Sequence, residues 1–399
     1  MRLAIVTRRA GGGDGQGGVN VQIAAAAARA GWQVTLFAAE ADGLPGGVIW
    51  QKIDETQLPG RLIKDRVFAR GSWQALKRAQ PAFDIVHTNG FSTWFPADVN
   101  TVHFVHGGWY NSGVYPKAYG PKSLYRLLYT RENIELERLA FRQARHIVAV
   151  SRRIAAELIN CGVSARNISV IHNGVDLAAF GPGACERARF GLPQDRPVAL
   201  FAGDLKGTRK GLDVLLQALT SVAGIHVAIA GDVRGSAGPA LARRLGLTDR
   251  VHFLGSAGDM AAFYRAGDFL VMPSRYEPFG LVALEAMASG LPVITFANAG
   301  AAEVIPASAG IVLPGTPDAS GLAAALGEMC AALDRGGFGA DAIRAVAARH
   351  GWSEVTACYL RLYTALLAEK RAASVLGPGE RFAATHFQSV GAGAEGDAS

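Results

Sequence analysis

The chain has 399 residues, half of them apolar and 18% charged, with a formal charge of +7. That length suffices for two domains, and that balance excludes a disordered polymer. No apolar run reaches the roughly 20 residues a bilayer-spanning helix needs, so no membrane-spanning segment is expected. The four cysteines (Cys161, Cys185, Cys330 and Cys358) are scattered, with no C-x-x-C and no nearby histidine pair. They point to a reducing cytoplasmic setting and away from a metal site or disulfide frame. The start runs straight into a strand without the apolar region of a signal peptide. The positive charge suits an anionic substrate or an anionic membrane surface. No nucleic-acid motif accompanies it, so no nucleic-acid partner is expected.

In chain order, apolar runs predict strands over 3–7, 33–37, 84–88, 101–106, 146–150 and 168–172, with helices over 19–30 and 123–144. Residues 175–196 lack periodicity and carry Gly181, Pro182, Gly183 and Pro193, which assigns 181–196 as a linker. The alternation then restarts, with strands over 198–202, 226–230, 251–254, 269–272, 293–296 and 311–313. A helix follows from Trp352 to about residue 372, and the tail over 374–399 has the composition of a disordered segment. Alternation of this kind predicts an α/β protein with two parallel-sheet domains, over 1–180 and 197–352, and ligands at the carboxyl ends of the strands.

Three motifs lie at such ends. Glu277-Pro-Phe-Gly-Leu-Val-Ala-Leu-Glu285 follows the run Phe269-Leu-Val-Met and precedes a helical pattern closed by Gly290. Phe279, Gly280 and Leu281 therefore fall at a helix N-terminus, where backbone N–H groups favour an anion. Gly203-Asp-Leu-Lys-Gly-Thr-Arg209-Lys210-Gly211 follows the strand over 198–202 and puts two cations beside the same crevice. Gly11-Gly-Gly-Asp-Gly-Gln-Gly17-Gly18 follows the first strand, and its Gly13-x-Gly15-x-x-Gly18 subset matches the dinucleotide fingerprint, with Glu40 about 20 residues on. Against a dinucleotide site, Arg8, Arg9 and Ala10 make the turn too long, and the remaining glycines are redundant. A loop that approaches phosphates across the crevice is the alternative.

The spacing of Glu277 and Glu285 resembles the E-x7-E motif of retaining glycosyltransferases of the GT-B fold, most closely glycosyltransferase family 4. The stretch around Arg209 and Lys210 resembles that family's donor-phosphate segment, and Gly17-Gly18 its glycine loop. Asn173-Gly174-Val175-Asp176, with Phe180, resembles the end of its first domain. The resemblance covers about residues 1–370 and implies two Rossmann-like domains, an N-terminal acceptor domain and a C-terminal donor domain, with the helix over 353–373 crossing back to the first. It implies transfer of a hexose from a nucleotide-diphosphate sugar, UDP first and GDP second, with retained configuration and no metal or other cofactor. Arg209 and Lys210 would neutralise the diphosphate, Glu277 would hold the sugar, and Glu285 the ribose. Gly203, Phe279, Gly280 and Leu281 would complete the donor site. His106, at the end of a strand, resembles the histidine near that family's reaction centre. His87 is a second candidate for the crevice, and His103 receives no role. A nucleotide-sugar epimerase and an NAD(P)-dependent oxidoreductase are the alternative activities.

The acceptor is expected to be a cell-envelope glycan or a lipid-linked molecule. The stretch from Arg61 to Arg78 carries six bases against Asp65, with Trp73 and Leu76 on an apolar side. It reads as a solvated face or as a basic helix in peripheral contact with an anionic membrane.

Overall fold

The computed structural model describes residues 1–11, 15–58, 60–116 and 120–375. The expected disordered tail lies outside the described residues from 376 onward, as does Gly13 of the fingerprint. The first half contributes β1 (Arg2–Val6), β2 (Arg9–Ala10), β3 (Gln33–Ala38), β4 (Glu40–Ala41), β5 (Val48–Lys52), β6 (Ile85–Asn89), β7 (Val99–Val102), β8 (His146–Ala149) and β9 (Ile168–Val170). Seven of these form a parallel sheet in the order β5-β3-β1-β6-β7-β8-β9, and β2 pairs with β4 beside it. The second half contributes β10 (Val198–Ala202), β11 (His226–Ala230), β12 (Val251–Gly255), β13 (Phe269–Met272), β14 (Val293–Phe296) and β15 (Gly310–Leu313). They form a second parallel sheet, β12-β11-β10-β13-β14-β15.

Each sheet grows outward from one strand and then reverses, at β1/β6 and at β10/β13. Such switch points are where open α/β sheets leave a crevice at the carboxyl ends of their strands. β10 and β13 are buried along their whole length, as strands covered on both faces must be. The helix Leu212–Leu219 lays Leu212, Leu215, Leu216 and Leu219 on the sheet at helical spacing. The opposite face of the second sheet packs in a core that continues into the first half through Val150, Ile154 and Leu158.

The last helix, Trp352–Val375, returns to the first half. Its Val355, Tyr359, Tyr363, Leu366 and Leu367 are buried in the same core as Leu3, Ile5, Ile23 and Trp32. Lys370 donates to Asp98 Oδ1 and to the Asp84 carbonyl, both at 2.8 Å. This helix decides the fate of His87, which does not line a crevice. The His87 ring is fully buried, with Nδ1 2.7 Å from the Tyr363 hydroxyl and Nε2 2.8 Å from Thr101 Oγ1. The strand reading ended one residue short of the truth here: His87 sits in the middle of β6, so its side chain meets the helix rather than solvent.

Burial holds His87 down to about 3 and His350 to about 4. Both stay neutral in the fold, while the unfolded chain takes up protons near pH 6.5. The unfolded state then binds more protons, so these groups make stability fall as pH drops from about 6.5 towards 4. The urea midpoint is expected to drop across that interval more steeply in the wild type than in His87→Gln. Parallel pH profiles would remove His87 from the account.

Candidate active site

The loops leaving β10 and β13 face each other, and their backbones explain their glycines. Gly211 has φ +74°, and a Cβ there would lie 1.8 Å from the Pro273 carbonyl oxygen. Gly280, at φ +107°, directly precedes the helix Leu281–Ala288. The loop after β13 is held from behind, where Gly300 N donates to the Glu277 carbonyl at 3.0 Å and Ala301 N to the Phe279 carbonyl at 2.7 Å.

Lys210 Nζ is ion-paired with Glu277 Oε2, their side chains 14% and 8% exposed. Arg209 Nη1 lies 3.9 Å from the same oxygen and donates to the Tyr276 carbonyl at 3.2 Å. Ser274 Oγ donates to Glu277 at 3.3 Å. Arg209, Lys210, Glu277, Phe279, Gly280 and Leu281 line one cavity of about 480 Å³, whose other wall is His103, Phe104, Trp109 and Asn173 from the first half. Gly203 and Glu285 are not among the lining residues. Gly203 backs the site, since a Cβ on it would lie 3.3 Å from Lys210 Cε. Glu285 is half-buried on the helix and accepts a hydrogen bond from the Tyr264 hydroxyl at 2.7 Å. Burial pushes its carboxyl up, and the Tyr264 bond works against that.

A second cavity, of about 630 Å³, opens at the first switch point, between the loops after β1, β6 and β7. Arg8 is clamped there by Glu55 at 2.5 Å and Asp65 at 3.0 Å. The Glu55 bond raises the Arg8 guanidinium, and Arg8 in turn lowers Glu55. Asp65 goes the other way, because burial outweighs Arg8.

His106 lines this second cavity and not the first. It does not end a strand: β7 stops at Val102, and His106 opens the helix His106–Asn111. Glu137 accepts from both its backbone N, at 2.9 Å, and its Nδ1, at 2.7 Å. That pairing puts the ring proton on Nδ1. His103, one residue past β7, borders both cavities together with Phe104. Its Nε2 is buried without a hydrogen-bond partner among the described residues, and burial lowers the ring to about 4. A neutral imidazole therefore stands where the two cavities meet. Sequence reasoning missed it by running the strand on to residue 106; the signal was available, since the first residue beyond a parallel strand's carboxyl end faces the crevice.

Polar contacts close the two halves around this point. Ser151 Oγ caps the helix Arg152–Asn160 through Ile154 N and also donates to the Pro278 carbonyl at 2.7 Å. The Tyr276 hydroxyl donates to Glu157 at 2.8 Å, and Arg153 lies 4.6 Å over the Tyr276 ring. Burial raises the Glu157 carboxyl, with the Tyr276 bond opposing it. Glu303 accepts from Arg152 N, Arg153 N and His172 Nε2, at 2.9, 3.1 and 2.9 Å.

Gly17 and Gly18, expected in a loop, lie inside the helix Gly15–Arg29 and line neither cavity. The physical reason for Gly17 is close approach: a Cβ would lie 3.1 Å from Gly11 N. Gly174 has no positive φ. It is glycine because a Cβ would strike the Trp352 ring at 2.5 Å. Asn173 of the same segment lines the first cavity.

Residues 13–179 match the family model described as Glycosyltransferase Family 4, and residues 196–332 the one described as Glycosyl transferases group 1. A D-inositol 3-phosphate glycosyltransferase from Xylanimonas cellulosilytica is 30% identical, over 88% of this chain and 92% of its own length. Among solved structures, sucrose-phosphate synthase from Thermosynechococcus elongatus superposes with a TM-score of 0.75 at 24% identity, covering 92% of this chain and 99% of that one. Anabaena Alr3699/HepE in complex with UDP and glucose gives 0.69 at 19% identity, over 92% of this chain and 100% of that one. Two parallel-sheet halves facing across a crevice, with these neighbours, are the GT-B architecture of a glycosyltransferase. The chain belongs to glycosyltransferase family 4. That membership sets aside the oxidoreductase and the dinucleotide fingerprint. No helix among the described residues is long and apolar enough to cross a membrane.

Proposed function

We propose that the protein moves a hexose from a nucleotide-diphosphate sugar to an acceptor hydroxyl with retained anomeric configuration and without a metal. The convergence of Arg209, Lys210 and the first turn of Leu281–Ala288 on one cavity wall carries this reading. The first N–H groups of a helix have no intrahelical acceptor, so they favour an anion there. Two cations and these N–H groups supply what a divalent ion would otherwise supply to a diphosphate.

In this reading the donor's diphosphate competes with Glu277 for Lys210, and the freed Glu277 carboxylate accepts from the sugar hydroxyls. Glu285, one turn beyond Leu281 on the same helix, holds the ribose. The bond from the anomeric carbon to the diphosphate oxygen breaks, and its electron pair leaves with the nucleoside diphosphate. The acceptor oxygen attacks from the same face, and its proton passes to a donor phosphate oxygen. The acceptor occupies the second cavity, so its hydroxyl meets the sugar at His103 and Phe104, the residues the two cavities share. His106, held by Glu137, orients the acceptor rather than the donor.

Uridine is the first choice of donor base and guanosine the second; the HepE complex with UDP supports that order. A cell-envelope glycan or lipid-linked molecule is the acceptor class. Heat denaturation with UDP, GDP, ADP and their sugars, all in EDTA, tests the donor side. A ligand of the native state at a hundredfold excess over its dissociation constant stabilises by about 2.7 kcal/mol. UDP is expected to raise the midpoint in EDTA. A shift that EDTA abolishes would end the metal-free reading, and a shift with GDP alone would change the base.

A further inference from the structure

We propose that the helices Arg61–Arg78 and Pro121–Gln143 together form a docking face for an anionic lipid bilayer at the mouth of the second cavity. The sequence showed one basic helix. The structure pairs it with a second helix and leaves apolar side chains of both outward. On the first, Ile63 and Val67 are 44% and 37% exposed, one turn apart. On the second, Leu124, Tyr125 and Leu128 are 58%, 46% and 55% exposed, also within one turn. The helices are joined side by side, because Arg66 is ion-paired with Glu132 and Arg61 N donates to the Tyr125 hydroxyl at 3.0 Å. Five large apolar side chains on two adjoining helices make a patch, where a monomer's surface ordinarily scatters them.

Charge selects the occupant. Arg70, Lys122 and Arg131 are exposed on the same two helices. The neighbouring acids are taken, Glu132 by Arg66, Glu135 by Arg138, and Asp65 by Arg8. An apolar stripe rimmed by bases inserts its side chains at the acyl boundary and sets its cations among anionic headgroups. A nucleic acid would use the bases and leave the stripe wet. A second copy of the chain would bring bases against bases. The face also adjoins the proposed acceptor site, since Arg61 and Tyr129 of these helices line the second cavity. A headgroup-borne hydroxyl could enter that cavity from a bilayer seated here.

Sedimentation of the purified full chain with vesicles tests this without donor or acceptor, so it is independent of sugar transfer. Binding is expected to vesicles of phosphatidylcholine and phosphatidylglycerol in equal parts, to weaken with salt, and to be lost with phosphatidylcholine alone. Leu124→Asp with Leu128→Asp, and separately Arg70→Glu with Arg131→Glu, should each weaken it by about tenfold or more at an unchanged melting temperature. No binding to the mixed vesicles, equal binding to the neutral ones, or wild-type binding by both variants would overturn the proposal. A concentration-dependent dimer that the leucine variant dissolves would overturn it too, by giving the face to a second copy.

Discussion

Lys210→Ala is expected to lower turnover by about 10²–10³-fold, the usual cost of removing one preorganised group from the charge that develops in a transition state. Its Nζ is the one ammonium lining the first cavity among the described residues, and Arg209 is partly committed to the Tyr276 carbonyl. The substitution has a second effect that must be separated from the first. It leaves the Glu277 carboxylate, 8% exposed, with Arg209 at 3.9 Å and the Ser274 hydroxyl. Removing one partner of a buried pair costs about 3–5 kcal/mol when nothing else compensates, and Arg209 makes the cost smaller here. Adding Glu277→Gln to Lys210→Ala removes the stranded charge. The double variant is expected to regain most of the lost stability and none of the lost turnover. Steady-state rates at saturating donor, beside urea unfolding of both variants, check this. Near-normal turnover by the single variant would take Lys210 out of the chemistry.

The other large effect is expected at a residue that lines neither of the two cavities. A Cβ on Gly300 would lie 2.1 Å from the Pro278 carbonyl oxygen and 2.9 Å from Phe279 Cα. Both obstacles are backbone, so no rotamer can yield, and the segment carrying Glu277 and Phe279 must move. Overpacking of this kind costs about 1–3 kcal/mol. A displacement of ~1 Å at a reacting site can cost about 10²-fold in rate. Gly300→Ala should therefore lower both the melting temperature and kcat/KM. Gly327→Ala is the control: it sits in the helix Ala319–Asp334 with nothing within 4 Å of an added Cβ. There alanine should be neutral or stabilising by up to about 1 kcal/mol. Equal behaviour of the two variants would mean that the contact behind the loop does not matter.

What could be read beforehand follows from burial. β10, β11, β13 and β14 are central parallel strands and nearly continuous apolar runs, and together with the edge strands β12 and β15 they appear within a residue of the predicted ranges. β5 was missed because it is an edge strand with four of its five residues exposed, so Val48-Ile-Trp-Gln-Lys52 shows neither a run nor an alternation. β7 was displaced because Phe104 and Val105 prolong the apolar pattern after the backbone has left the sheet at Val102. That displacement is why His103, which borders both cavities, received no role. Arg209, Lys210 and Glu277 could be picked out by chemistry and order along the chain, yet their contact spans 67 residues and two loops. No local pattern encodes it, just as none encodes the Tyr276–Glu157 and Ser151–Pro278 contacts between the halves.

The returning helix also bears on the order in which the chain can finish folding. During synthesis N-terminal domains ordinarily fold first. Here the core around Leu3, Ile23 and Trp32 is completed by Tyr359, Tyr363 and Leu367, which leave the ribosome after every strand of the second sheet. The half that is made first is therefore the half that closes last. A released chain ending near residue 350 would carry the strands of the donor half and an unfinished acceptor half, with His87 open to water in the absence of the final helix.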